Sequence, residues 1–395
     1  MKEGLNLMNV SLGNNNAIAI AGRATAEGTG RYRERHKKNC AADHFRETGS
    51  LVASSIGIGT YLGEPDEYTD TLVAEAVVES VRRGANVIDS AINYRYQCGE
   101  RSVGKAIRRL LESGEASRDE LIICTKGGVL PHPTPNHVEW FYQQYVEPNN
   151  STVSMADLAD ERYCIHPEYI QDQLNWSLAN LGIETIDVYY LHNPEKLLSQ
   201  VEPDTFYNRL REVFEVLEGA VLAGKIANYG VATWNAFRVP PTENYHIDLA
   251  RAKSIAREVA GSREDRFRFI QLPLNMGMPE AVLTPTQTIE GEQVSVLEAA
   301  DRLGIWAIAS RSICEAQVIG QIPEKIASAF GDRLRTDCQR ALQYTRSAPG
   351  LLSALVGMKA PKHIEENLAL AAVPRLGRAS FQELTDSIVQ VLNGN

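Results

Sequence analysis

The chain has 395 residues, 44% hydrophobic and 23% charged, the proportions of an ordinary globular protein. Forty Lys and Arg against fifty Asp and Glu leave a net charge of −10, which argues against a broad nucleic-acid or anionic-membrane surface. Six cysteines with no Cys-x-x-Cys pair suggest neither a disulfide framework nor a zinc ribbon. No apolar run reaches the length of a membrane span, and the first residues lack the order of a signal peptide. A cytoplasmic protein without nucleic-acid or membrane partners is expected.

Residues 1–50 are read as an N-terminal arm, either packed on the following domain or a disordered lead. The charged run Arg31–Lys38 within it reads as a solvated face. From Ser54 onward, short apolar runs alternate with helix-length amphipathic segments. Strands are predicted at 54–61, 86–90, 121–126, 187–193, 226–233, 267–274, 305–310 and 354–358. Thr71–Arg83 is a representative helix, with Gly84 as its stop signal. Eight strands alternating with helices are the pattern of a closed (β/α)8 barrel, placed at residues 51–375, with a helical tail at 376–395. An open doubly wound sheet is the alternative. Its Gly-rich turn is poorly matched, because Gly57, Gly59 and Gly63 have the wrong spacing for a dinucleotide fingerprint.

About 40 residues separate Lys126 from the helix beginning near Pro167, far more than an ordinary connector. This insertion, about 129–166, is rich in Pro, His and aromatics and is expected to cover a pocket as a lid. His132, His137, Cys164 and His166 within it match no closed metal pattern, and no metal is expected.

The segment Asn86–Tyr94 carries the chemistry. Val87-Ile88 reads as a buried strand ending in Asp89, with Tyr94 in the loop and Gly99-Glu100 opening a helix. Lys126 ends a second apolar run, Leu121-Ile-Ile-Cys124, and His192 ends a third, Val188-Tyr-Tyr-Leu191. Ionisable groups at the carboxyl ends of barrel strands are where barrel sites are built. Taken singly, each has a plain reading: Asp89 as a helix cap, Tyr94 as a rim aromatic, Lys126 as a surface lysine, His192 as a satisfied core histidine. Their convergence from separate strand ends favours a site. A lysine ammonium near a tyrosine lowers the pKa of the phenol and so favours its use as a positioned acid.

Asp89-Ser-Ala-Ile-Asn-Tyr94 with Gly99-Glu100, the strand end Cys124-Thr-Lys126 and the run Asp187-Val-Tyr-Tyr-Leu-His-Asn-Pro194 resemble the aldo-keto reductase family, from about Ser54 to Leu370. The resemblance implies Tyr94 as general acid, Lys126 as its partner, Asp89 as the orienter of Lys126 and His192 as the carbonyl-orienting residue. It implies a nicotinamide cofactor, NADP with NAD as the alternative, extended across the barrel mouth. The contacts it implies are Thr60 and Asp89, then Thr233 and Gln271 near the carboxamide, Ser310 and Arg311 after the seventh strand, and Lys359, His363, Glu366 and Asn367 around the adenosine phosphate.

The chain departs from that family at the cofactor. Ala232-Thr233 stands where Ser-Asn is usual, Ser310 where a stacking aromatic is usual, and His363 where an arginine is often found. Neither serine for a ring nor histidine for a guanidinium is a like-for-like exchange. The expected function is NADPH-dependent reduction of a small aldehyde or ketone. The alternatives are non-redox acid–base chemistry by the same tetrad and a cofactor-sensing binding subunit.

Overall fold

The computed structural model describes residues 18–133 and 135–392; the Asn/Gly-rich start lies outside them. Eight parallel strands close into a barrel: β1 (Ile56–Gly59), β2 (Val87–Asp89), β3 (Ile122–Gly127), β4 (Ile186–His192), β5 (Ile226–Ala232), β6 (Phe267–Pro273), β7 (Trp306–Ser310) and β8 (Leu351–Gly357). All eight coincide with the predicted runs. The jacket helices are α1 (Glu67–Arg82), α2 (Cys98–Glu112), α3 (Pro167–Leu181), α4 (Pro203–Leu222), α5 (Leu249–Ala260), α6 (Val296–Arg302), α7 (Asp337–Ser347) and α8 (Pro361–Leu368). Helix α1 begins four residues before its predicted start because the Asp66 carboxylate accepts the Thr69 N–H at 2.7 Å, an N-cap the apolar periodicity does not register.

Side chains alternate across each strand, so the two apolar populations separate by parity. Val87, Ile122, Cys124, Val188, Tyr190, Phe269 and Ile308 fill the lumen, while Ile88, Ile123, Tyr189, Ile270 and Ala307 face the helices. The parity has a direct consequence for chemistry. Asp89, Lys126, His192 and Gln271 share the lumen-facing register of Val87, Cys124, Tyr190 and Phe269, each at the carboxyl end of its strand.

The lower end of the barrel is closed by a hairpin, Phe45–Glu47 with Val52–Ser54, and by the helix Ala26–His36. Tyr32 of that helix is fully buried, and the Thr29 hydroxyl accepts the Val52 N–H at 2.9 Å. The charged run is partnered within the chain: Arg31 with Asp119, Arg33 with Glu47, Arg35 with Glu120. The chain after β8 ends in a helix, Arg378–Leu392, whose Phe381 stacks on Tyr344 of α7 with centroids 4.9 Å apart.

The insertion after β3 has a narrow neck. Val129 pairs antiparallel with Tyr163, and the Cys164 N–H donates to the Gly128 carbonyl at 2.8 Å. Its rings turn to the flank of the barrel rather than across the mouth: Phe141 and Tyr145 pack on Tyr169, and Trp140 lies 6.1 Å from Trp176, both on α3. The aromatic content behind the expected pocket cover is thus accounted for by contacts with the jacket.

Strands β5 and β6 approach closely at Gly230, where a Cβ would lie 2.1 Å from the Phe269 carbonyl oxygen. Both groups are backbone, so Gly230→Ala must part the two strands that carry Thr233 and Gln271. It is expected to lower the unfolding free energy by about 3 kcal/mol in urea denaturation. Gly219→Ala on α4, where nothing lies within reach of a Cβ, is expected to raise it by about 1 kcal/mol.

Candidate active site

The β2 strand delivers Asp89 to the upper end of the lumen, and the chain then crosses to the neighbouring strand. The Ser90 N–H donates to the Cys124 carbonyl at 2.9 Å, and the Ile92 N–H to the Lys126 carbonyl at 3.1 Å. This crossing brings Tyr94 over the end of β3. It is followed by three consecutive non-glycine residues in the left-handed region, Arg95, Tyr96 and Gln97, with φ of 49°, 53° and 73°. Each such residue costs roughly 1–2 kcal/mol and needs an anchor. The anchor is the Arg95 side chain, 1% exposed, which pairs with Asp70 of α1 and donates to the Ser102 hydroxyl at 3.0 Å. Arg95 and Asp70 were not expected to matter. Their only signal in the sequence is a bulky residue in the turn after Tyr94, which becomes informative once φ is known.

Lys126, 1% exposed, sits at the centre. Its ammonium donates to Asp89 Oδ1 at 2.5 Å, to the Ser90 carbonyl at 2.8 Å and to Tyr94 Oη at 3.2 Å. Three donors thus meet three acceptors, the full capacity of the group. The second Asp89 oxygen accepts Gln271 Nε2 at 2.8 Å. The Tyr94 ring lies at right angles to His192, centroids 6.0 Å apart, and Tyr61 packs edge-on to its other side at 5.0 Å.

Burial alone would lower the Lys126 pKa, but Asp89 and Tyr94 outweigh it and hold the ammonium above its ordinary value. Burial, followed by the Lys126 charge, holds His192 well below its ordinary value, so the imidazole is neutral. For Tyr94 the expected lowering is not the net result: burial raises the phenol, and Lys126 only moderates the rise. Tyr94 is therefore protonated at neutrality, with an ammonium placed where it would stabilise a phenolate.

Of the ten residues the resemblance implied for a cofactor, four belong to this cluster or touch it, and two more, Ser310 and Arg311, stand at the end of β7. The Thr60 hydroxyl donates to Ser90 Oγ at 2.9 Å, and Asp89 and Gln271 are joined as above. The Thr233 N–H donates to the Gln271 carbonyl at 2.9 Å. Arg311, with φ of 52°, lays its guanidinium 4.9 Å from the Trp234 ring. Ser310 ends β7 opposite Pro273 of β6 and carries no ring into the mouth. The other four stand apart on and before α8. Lys359 Nζ lies 3.0 Å from where a Gly63 Cβ would sit, in the loop after β1. His363 is exposed, the Glu366 carboxylate accepts the Thr336 hydroxyl of α7, and Asn367 is buried.

A dinucleotide fits this rim on the evidence of its unsatisfied atoms. Thr233 Oγ1, His192 Nδ1, Arg311 Nε and Asn367 Oδ1 are buried without a hydrogen-bond partner. Such atoms are uncommon in folded proteins and call for an external partner. They mark both the tetrad side and the α8 side of the mouth. Sequence reasoning also missed Glu195, just beyond His192. It is 1% exposed, and burial raises its carboxyl to about 7. An apolar hollow of about 220 Å³ lies elsewhere, between the loops after β6 and β7 and the C-terminal helix; no tetrad residue lines it. Among the described residues no group of three His, Cys, Asp or Glu is placed to hold a metal ion.

Removing the ammonium strands Asp89 in the lumen. Lys126→Met is expected to destabilise the fold by about 3–5 kcal/mol in urea denaturation, and Asp89→Asn combined with it is expected to recover more than half of that loss.

Residues 55–243 match the model of the Aldo/keto reductase family. The NADH-specific methylglyoxal reductase of Escherichia coli (strain K12) is 24% identical over 82% of this chain and 91% of its own length. The 6-dehydroglucose reductase of Novosphingobium aromaticivorans is 25% identical over 51% of this chain and 55% of its own length. Among solved structures, an aldo/keto reductase from Klebsiella pneumoniae in complex with NADP and acetate superposes with a TM-score of 0.57 at 18% identity, over 88% of this chain and 96% of that one. A glycerol dehydrogenase from Gluconobacter oxydans does so with a TM-score of 0.59 at 18% identity, over 90% and 98%. These two likenesses concern the fold alone. The matched segment spans the first five barrel strands, at or beyond whose ends Asp89, Tyr94, Lys126 and His192 meet, and it is over these residues that the chain is similar to the aldo-keto reductase family.

Proposed function

We propose that this protein reduces a small aldehyde or ketone to an alcohol, with a nicotinamide dinucleotide as reductant and Tyr94 as proton donor. The observation that carries the reading is the Lys126 ammonium held at once by Asp89 and Tyr94 below a neutral imidazole. A protonated phenol beside a fixed ammonium can release its proton as negative charge develops on a carbonyl oxygen, because the resulting phenolate is stabilised at contact distance. His192 donates a ring N–H to the same oxygen and orients it without adding a competing charge. The dinucleotide, when bound, supplies the hydride. Thr233, Gln271 and Arg311 hold its nicotinamide end, and Lys359, His363, Glu366 and Asn367 its adenosine end. NADPH is the proposed cofactor through the cations Lys359 and His363, and the likeness to an NADH-specific enzyme makes NADH the alternative.

No described helix is long and apolar enough to cross a membrane. All six cysteines are free, which suits a reducing compartment, and the cytoplasm is the proposed location.

The deciding measurement is titration of the protein with NADPH and NADH, followed by quenching of tryptophan emission. Binding of either is expected, with a carbonyl screen giving turnover. Absence of binding by both to folded protein would sink the reductase reading. If Tyr94→Phe then still abolished turnover of some other substrate, acid–base chemistry would take its place, a reading the ringless Ser310 favours. Tyr94→Phe is expected to lower kcat/KM for a carbonyl by about 10²–10⁴-fold while leaving cofactor affinity within about twofold.

The pH dependence follows from the directions of shift. Tyr94 acts in its protonated form and its pKa is raised, so activity falls only as pH climbs past about 10. His192 acts in its neutral form and its pKa is depressed, so its acid limb lies well below about 6.5. The chemical step measured with saturating cofactor is expected to be flat across neutrality. A single-turnover rate falling between about pH 7 and 9 would contradict the assignment of Tyr94.

A further inference from the structure

Beyond His192, the chain turns through Asn193, with φ of 52°, and Pro194 before reaching Glu195. The Glu195 carboxylate is carried back under the loop that follows β5. Its Oε1 accepts the Trp234 N–H at 2.7 Å and the Asn235 N–H at 3.3 Å, while Oε2 is buried without a partner. A neutral side chain would satisfy two backbone donors at less desolvation cost, so a buried acid at this point calls for a reason beyond packing.

The loop it grips stands at the level of the chemistry. Ala232 is in register with His192 on one side and with Gln271 on the other. From Trp234 the indole meets the Arg311 guanidinium at 4.9 Å, and Arg311 belongs to the loop after β7. The two loops therefore reach toward each other across the end of β6, the strand that carries Gln271, whose amide holds Asp89. The indole is 38% exposed, a flat aromatic surface at the rim. Where Ser310 leaves the seventh strand end without a ring, Trp234 supplies one from the fifth.

We propose that Glu195 is a positioning residue for cofactor binding: it fixes the Thr233–Asn235 backbone so that Trp234, stacked on Arg311, walls the nicotinamide end of the site. This rests on the reading of the mouth as a nicotinamide dinucleotide site. The charged group acting on the carboxyl is Lys196 on its own segment; the loop it holds meets Arg238, which donates to the Trp234 carbonyl at 3.1 Å and pairs with Glu280 at 3.2 Å, and Arg311, paired with Glu315 at 3.5 Å. Burial, opposed by the two loop N–H groups, brings the Glu195 carboxyl to about 7. The anion is the better acceptor, so the loop is held more firmly above that pH and loosens as pH falls through it.

The test uses the full-length protein and the variants Glu195→Gln, Glu195→Ala and Trp234→Phe, with circular dichroism as the check of folding. Trp234 emission is obtained without cofactor, as the difference between each Glu195 form and its Trp234→Phe counterpart. NADPH and NADH are then titrated at about pH 6 and pH 8. In the wild type, Trp234 emission is expected to change with a midpoint near 7, with tighter cofactor binding at the higher pH. Glu195→Ala is expected to shift the emission at both pH values and to weaken the bound cofactor at least about tenfold at pH 8. Glu195→Gln, which keeps an uncharged acceptor, is expected to recover most of that affinity and to abolish the pH dependence. Trp234 emission unchanged in Glu195→Ala, or a pH dependence that survives in Glu195→Gln, would overturn the proposal. Emission that tracks Glu195 in a protein that binds neither cofactor would leave Glu195 as the setter of Trp234 and overturn the reductase reading instead.

Discussion

The Lys126–Asp89 pair is the constraint on which the site depends. An ammonium taken out of water is tolerated only when every one of its donors is met, because an uncompensated charge in a protein interior costs several kcal/mol. Here the three acceptors are a carboxylate from β2, a backbone carbonyl beside it and the Tyr94 phenol. Satisfying the charge therefore also fixes the Tyr94 phenol. The same demand extends one step further, since Asp89 must be satisfied in turn and takes the Gln271 amide from the far wall of the barrel. Groups separated by 182 residues in the chain are thereby held in one network. Buried polar networks are rigid when complete, and this one is complete at its centre and open only at its rim.

Some of the buried polar atoms without a partner lie at the rim. Thr233, His192 and Arg311 each keep a polar atom without a partner, while Lys126 has all three of its donors met. That contrast separates the groups that hold the site from those that await a ligand. It also bears on how a tyrosine with a raised pKa would serve the proposed reduction. A donor that kept its charge permanently would repel or trap the ligand, whereas one that gives up its proton only in the presence of developing negative charge acts when required.

Much of this was legible in the sequence, for a definite reason. A strand buried on both faces reads as a short apolar run, and one polar residue at its end is conspicuous against it. Asp89, Lys126 and His192 all stand out in this way, and the period of two assigns them to the lumen once the strands are known. Gln271 and Thr233 were reached through family resemblance rather than through pattern. What stayed hidden depends on backbone conformation or on distant approach. The left-handed turn at Arg95–Gln97 has no glycine to announce it, and the partner of the buried Arg95 lies 25 residues upstream. Glu195 resembles any surface acid at a helix start until the fold carries it beneath Trp234. Aromatic content in the insertion reports that its rings will be covered, not by what, and Phe141, Tyr145 and Trp140 meet α3. The pKa of Tyr94 was misjudged in direction because proximity of a charge can be read from a motif, and depth of burial cannot.

The neck of that insertion has a consequence for how such a chain can change. Residues 128 and 164 are joined by a hydrogen bond, and the next pair, 129 and 163, by an antiparallel bridge, so nearly forty residues enter and leave the barrel through one doorway. Loop-closure entropy rises only slowly with length, and an excursion whose ends already meet can be lengthened, shortened or exchanged with little effect on the strands. The doorway opens beside Lys126, the least replaceable residue of the site. The neighbouring surface can therefore be exchanged as a detachable module, while the Lys126 network a few residues away keeps its geometry.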